Sequence, residues 1–418
     1  MKRLPAGIIS TLLSLTMTLT PCSMSALAAQ ENSRDFSLFF SGPGVAAFSS
    51  GDEYSEYQWA LNNTGRLRRT EKVLNIKTLD HIYLHYGENG IDDIALPPLG
   101  PDNFESINTD AVANIDINIE DAWKTYSETE NKRTVTVAII DTGIDTTHSD
   151  LKDSIWVNED EIPGDGIDND GNGYIDDVYG WNFYDNNAQV FTGADDNHGT
   201  HSAGTIAAAR NGVGTVGICD PAYVKIMVIK TLGTSSGVGT VSNVVKAIRY
   251  ARANGASICN LSFGTMKYSE ELYQAIKDSG MLFIVAAGNG DASGNGYSID
   301  EQPMYPASFE LDNIISVANL RFDGQLDRAS NYGVRSVDLA APGNYILSTI
   351  TGNDYAYMSG TSMAAPMVTG TAAMLYSYDA SLSLMDVRNR ILQSARPIES
   401  LSGKVATGGM LDAGAAMP

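Results

Sequence analysis

Four side chains whose types suit acyl transfer stand beside glycines. Asp141 opens the block Asp141-Thr-Gly143, and His198 opens His198-Gly-Thr-His201. Ser362 lies in Gly360-Thr-Ser-Met-Ala-Ala-Pro366, and Asn289 sits between Gly288 and Gly290. A serine hydroxyl is a weak nucleophile until a base takes its proton. A histidine supplies that base, an aspartate fixes its tautomer, and an amide N–H neutralises the developing oxyanion. Singly, each residue has a simpler use. Asp141 and Asn289 suit turns, Ser362 suits a helix cap, and His198 suits a wet surface. Their order along the chain and their glycine-rich settings carry the reactive reading.

A second group is built for a hard cation. Asp165, Asp168, Asp170, Asn172, Asp176 and Asp177 crowd one segment. Asp168, Asp170 and Asn172, followed by Gly173, match the first half of an EF-hand loop. The twelfth position of such a loop falls on Tyr179, which cannot chelate as a glutamate does. The expectation is a Ca²⁺ loop of another kind, with Asp176 or Asp177 as the replacement acid. The plainer alternative is a solvated acidic loop.

These residues need a scaffold. The runs 134–140, 224–229, 257–261, 281–287, 314–318 and 337–340 are apolar without alternation. That pattern predicts strands buried on both faces. Residues 241–253 place apolar side chains at 244, 245, 248 and 251, the spacing of a helix; 270–278 and 363–376 also predict helices. Strands alternating with helices imply a parallel α/β sheet. Ligands of such sheets bind beyond the carboxyl ends of the strands. Asp141, Asn289 and the tripeptide Ser262-Phe263-Gly264 all fall there.

The whole chain sets the outer limits. Its 418 residues carry 27 basic and 50 acidic side chains, a net charge of −23. Such a chain repels phosphate, which argues against nucleic acid or an anionic membrane as partner. Lys2 and Arg3, the mostly apolar 4–19, and Ala26-Leu27-Ala28 predict an export signal over 1–28 and a secreted protein. No later run is long enough to span a bilayer. Cys22, Cys219 and Cys259 lack metal-ligand spacing; Cys219 and Cys259 are expected to be buried thiols, with pairing as the alternative. Residues 29–105 differ in texture and end in a Pro-rich connector at 97–101, so they predict a small domain or wrapping arm.

The Asp141, His198 and Ser362 blocks resemble the three signature blocks of the subtilases, the subtilisin-like serine proteases, in the family order Asp, His, Ser. The resemblance runs from about 119 to 415. A lipase-type elbow is disfavoured, because Ala364 stands where it needs glycine. The resemblance implies a three-layer, doubly wound, mostly parallel α/β fold and a serine endopeptidase. It implies Asn289 and the Ser362 N–H as oxyanion donors. Ser236, Gly237 and Val238, with Ser262, Phe263 and Gly264, would pair with an extended peptide or protein substrate. Ala287, Gly288 and Met304 would line the pocket for the residue before the cut. Asp150 and Asn211, with Gln58, would form a second structural Ca²⁺ site. A prosegment over 29–105 would precede a catalytic domain over 106–418, with self-cleavage between Glu105 and Ser106. Gln58-Trp59 resembles the start of many mature subtilases, so the cut arm is expected to stay attached as a noncovalent partner. The layout also resembles secreted subtilases that remove leaders from lanthipeptide precursors, cutting after Glu. A broad scavenging protease and an inactive binding module are the alternatives.

Overall fold

The computed structural model describes residues 2–5, 51–74, 81–87, 90–95, 104–233, 237–291 and 294–418, with the backbone path alone over 2–5, 70–74, 81–87, 90–95 and 104–108. The expected export signal lies outside the described residues apart from Lys2–Pro5, and Ser236 lies outside them too.

The strands of the main sheet are β1 (Val135–Asp141), β2 (Gly180–Asn182), β3 (Val224–Lys230), β4 (Ile258–Leu261), β5 (Leu282–Ala286), β6 (Ile314–Leu320), β7 (Leu339–Pro342), β8 (Arg396–Pro397) and β9 (Gly409–Met410). Their order across the sheet is β8-β9-β7-β6-β5-β4-β1-β3-β2, and every pair is parallel except β8 with β9. The predicted runs all became strands of this sheet. The last begins two residues late, because Val337 is buried in the core before pairing starts at Leu339. Side chains such as Ile139, Ile140, Leu261, Ile284 and Val317 are fully buried. Each contributes about 1.5–3 kcal/mol.

The helices are α1 (Ile119–Ser127), α2 (Asn197–Ala207), α3 (Val241–Ala253), α4 (Glu270–Lys277), α5 (Thr361–Tyr378), α6 (Leu384–Gln393) and α7 (Ala413–Ala416). Helix α5 is buried at every position from 361 to 375. A helix apolar all round belongs inside a core, and α5 lies against α2, β1 and β4 through β7. Helices α3 and α4 pack on each other, and α3 lies against β1 and β3. The architecture is the expected three-layer α/β sandwich.

The chain crosses β1 on its way from β3 to β4, so the winding reverses at β1. Such a switch point opens a crevice at the strand ends. Asp141 is the last residue of β1 and therefore stands in it.

Residues 54–67 pack into this body. Trp59 is 1% exposed and its Nε1 donates to the carbonyls of Asn344 (3.0 Å) and Tyr345 (3.1 Å). Gln58 clamps the Val216 backbone, donating to its carbonyl and accepting from its N–H, both at 2.9 Å. Asn63 donates to the carbonyls of Ile115 and Phe322. Beyond them Arg68–Leu74 pairs antiparallel with Phe104–Asp110, setting Glu105 opposite Val73 and Ser106 opposite Lys72. Cys219 and Cys259 are free and buried, and burial pushes both thiol pKa values far up. Among the described residues no helix is long and apolar enough to cross a membrane.

Candidate active site

Asp141 and His198 meet at the crevice. Nδ1 of His198 lies 2.8 and 3.0 Å from the two carboxylate oxygens of Asp141, whose side chain is 1% exposed. The Thr142 N–H donates to the same carboxylate at 2.6 Å. Burial disfavours the imidazolium of His198, but the charge of Asp141 and its hydrogen bond outweigh that, leaving the pKa above the usual 6.5. The approach depends on glycine. A Cβ on Gly199 would overlap the Gly143 carbonyl, and Gly143 itself has φ of +115°.

The second histidine of the block is a different group. His201 is fully buried, and its Nε2–H donates to the Ile346 carbonyl at 2.9 Å. Nδ1 has no partner, and burial pulls the pKa down to about 4. His201 is therefore a neutral core residue.

Ser362 is the second residue of α5, after the N-cap Gly360. First-turn N–H groups lack partners inside a helix, so the Ser362 N–H is available to an acceptor at the positive end of the helix dipole. Pro366 sits four residues on and has no N–H to give the Ser362 carbonyl. That carbonyl instead accepts from Ser262 Oγ at 3.1 Å, and Ser362 Oγ donates to the Ser262 carbonyl at 2.9 Å. This reciprocal pair fixes the start of α5 to the end of β4.

Asn289 is anchored through its acceptor. Oδ1 takes hydrogen bonds from the Thr361 N–H (2.8 Å) and hydroxyl (3.0 Å), and that hydroxyl accepts from the Gly288 N–H at 3.1 Å. The Nδ2 donors are left for a ligand. A Cβ on Gly360 would lie 3.1 Å from Nδ2, so only glycine leaves the amide this close to α5.

The proposed substrate edges flank β1. Val238–Gly239 pairs antiparallel with Leu232–Gly233 just past β3, and Val238 is exposed. Phe263 and Gly264, past β4, have no backbone hydrogen bond among the described residues. An edge of that kind is a template for an added strand. Met304 lies beside both Gly264 and Gly288: a Cβ on Gly264 would lie 3.0 Å from its Cγ, and one on Gly288 3.6 Å from its Cε. Sequence reasoning missed Asn331, which is fully buried. It donates to the Ala287 carbonyl (3.0 Å) and accepts from the Gly290 N–H (3.1 Å), holding the segment that carries Asn289. No local spacing signals so remote a clamp.

The acidic segment sorts into two sets. Asp168 and Asp170 converge with Glu161, their ligand oxygens lying within 4.8 Å of one another. Sequence reasoning missed Glu161 because it lies outside the Asp/Gly pattern. Asn172 adjoins through its Nδ2 to Asp170. Asp165, Asp176 and Asp177 do not join. Asp165 and Asp176 accept turn N–H groups, and buried Asp177 accepts from Asn158, Asn172 and the Tyr250 hydroxyl. No lysine or arginine bonds the three converging carboxylates among the described residues. Such a donor set fits a divalent cation. At the second expected site, Asp150 is buried, which raises its pKa, and accepts from Asn211 Nδ2 (3.1 Å), the Thr215 N–H (3.1 Å) and the Tyr355 hydroxyl (3.0 Å). Gln58 is spent on Val216 instead.

Comparison with known proteins gives the family. A sequence model described as the subtilase family matches residues 132–412. Subtilisin-like protease 1 of Plasmodium berghei is 35% identical over 301 residues, 68% of this chain and 49% of that protein. Subtilisin DY of Bacillus licheniformis is 36% identical over 265 residues, 62% of this chain and 83% of that protein. The chain spans about half the length of the Plasmodium relatives it matches. Among solved structures, a cold adapted subtilisin-like serine proteinase superposes with a TM-score of 0.52 at 26% identity, covering 68% of this chain and 90% of the other.

Proposed function

The chain belongs to the subtilase family, and from that premise we propose that it is a secreted, calcium-stabilised serine endopeptidase that processes itself and removes the leader of a lanthipeptide precursor. One observation supports the chemistry: Asp141 and His198 are hydrogen-bonded at the end of β1, and Ser362 is bonded to Ser262 just past the end of the neighbouring strand β4. Substrate is held as an added strand between Val238 and the 262–264 edge. Ser362 Oγ leaves the Ser262 carbonyl and gives its proton to His198 Nε2 as it attacks the scissile carbonyl carbon. Asp141 holds the imidazolium, and the Ser362 N–H and Asn289 Nδ2 hold the oxyanion. His198 then protonates the leaving amine, whose C–N bond breaks to leave an ester on Ser362. A water that loses its proton to His198 attacks the ester, and the proton returns to Ser362.

Glu161, Asp168 and Asp170 with Asn172 are the residues that would hold structural Ca²⁺; Asp150 and Asn211 are a second candidate pair. The self-processing reading rests on Glu105-Ser106, with residues 54–67 staying on the body after the cut because they are buried in it. The broad scavenging reading has one observation in its favour. Met304, not a cation, lies beside Gly264 and Gly288, the expected lining for the residue before the cut, and Lys267 is exposed on the loop past Gly264.

The deciding experiment compares secreted wild type with Ser362→Ala. Wild type is expected to take a serine-directed fluorophosphonate on Ser362, to begin at Ser106 on its larger fragment and to cut a lanthipeptide precursor but not casein. The variant is expected to remain one chain. Absence of label from processed protein sinks the protease reading. Ready casein digestion replaces leader removal with scavenging.

A further inference from the structure

We propose that Lys230 and Asp196 are positioning residues that hold Asp141 and His198 in hydrogen-bonding register. Lys230 ends β3 directly beside Asp141 in the sheet. It is a lysine only 2% exposed, and its ammonium donates to the Thr142 carbonyl and to Asp196 Oδ1, the latter at 2.5 Å. Thr142 follows Asp141, and Asp196 precedes His198 by two residues and is the N-cap residue of α2. A closed circuit results: Asp141, Thr142, Lys230, Asp196, His198 and back to Asp141 through the 2.8 Å bond.

Each member is held from its other side as well. The Asp196 carboxylate also accepts the Thr192 N–H (2.5 Å) and hydroxyl (3.1 Å), and its carbonyl accepts the Thr200 hydroxyl (2.8 Å). Thr142 gives its N–H to Asp141 and accepts the Gly199 N–H on its hydroxyl (3.1 Å). A buried ion pair is a poor source of net stability, because desolvating both charges offsets their attraction. What this one supplies is geometry. It joins the end of β1 to the start of α2, the two elements whose relative placement sets the His198–Asp141 distance.

The inference rests on the triad reading, so wild-type activity is measured first. Three variants follow: Asp196→Asn, Lys230→Met and the pair together. Asp196→Asn keeps the size but turns a donor toward either Lys230 or the Thr192 N–H. The double variant removes both buried charges, so it keeps the fold where Lys230→Met alone strands a carboxylate. The expected result is a kcat at least about tenfold lower in Asp196→Asn and in the double variant. KM should stay within about threefold in both; the thermal midpoint should fall in Asp196→Asn, which strands a buried ammonium, and stay close to wild type in the double variant. Wild-type kcat in whichever of the two folds overturns the proposal. So does a fall in kcat that tracks the loss of folded protein. An inactive wild type that takes no fluorophosphonate removes the triad reading itself, a different outcome from active variants.

Discussion

At Ser362 the hydroxyl donates to the Ser262 carbonyl, just past the end of β4, so the proposed attack would begin with a change of partner. The amide of Asn289 is the better-fixed group, tied twice to Thr361 through one oxygen. Asn289→Ala is expected to lower kcat by roughly 10²–10³ with KM little changed, the loss known for the corresponding donor in subtilisin; steady-state kinetics on a peptide ester checks it. The two histidines predict opposite behaviour with pH. His198 must be neutral to act as base, and Asp141 raises its pKa, so the acid limb of kcat/KM should have its midpoint above 6.5. Its pairing stabilises the fold below pH 6.5, and that stability fades as pH rises through the higher folded value. His201 is depressed from 6.5 to about 4, so its share of stability is present above 6.5 and is lost as pH falls toward 4. That share is about 3 kcal/mol. Urea unfolding of Ser362→Ala with and without His201→Gln should show a steeper acid loss when the histidine is present. The Asp141–His198 pair was legible because two glycine-bearing blocks stand in a telling order, although each residue alone has a simpler use. Asn331, Lys230 and Asp196 were not, since their partners lie on other elements.

The elements obeyed composition more closely than the ligands did. Runs without alternation became central strands, and α5 is buried all round because it has almost no polar face to expose. The Asp/Gly segment was harder, because spacing alone cannot tell an aspartate that caps a turn from one that faces an ion. Asp165 and Asp176 accept turn N–H groups, and so do Glu161, Asp168 and Asp170; what sets these three apart is that their oxygens converge, with Glu161 reaching in from outside the repeat. Chelation is expected to lower the thermal midpoint of Ser362→Ala. Glu161→Gln with Asp170→Asn should remove most of that shift if this loop is the main site. An unchanged midpoint in scanning calorimetry with chelator argues against calcium at either candidate site.

Across the whole molecule, the boundary suggested by texture at 105 and the boundary of packing differ. Composition changes near the Pro-rich connector, yet Trp59, Gln58 and Asn63 have partners more than two hundred, or at least fifty, positions away. Such long-range burial leaves no local trace. Trp59→Ala should cost about 3–5 kcal/mol by urea denaturation of Ser362→Ala. A chain nicked within 75–103 should elute as one particle in native buffer and as two in detergent. The position of α5 has a consequence for how the protein comes into being. The sheet needs that helix packed against its strands, but the ribosome delivers it after most of the body has been made. Long-range closure of this sort is slow. Until it happens, Ser362 has no partner at the end of β4, so the proposed peptidase activity would be the last property the folding chain acquires.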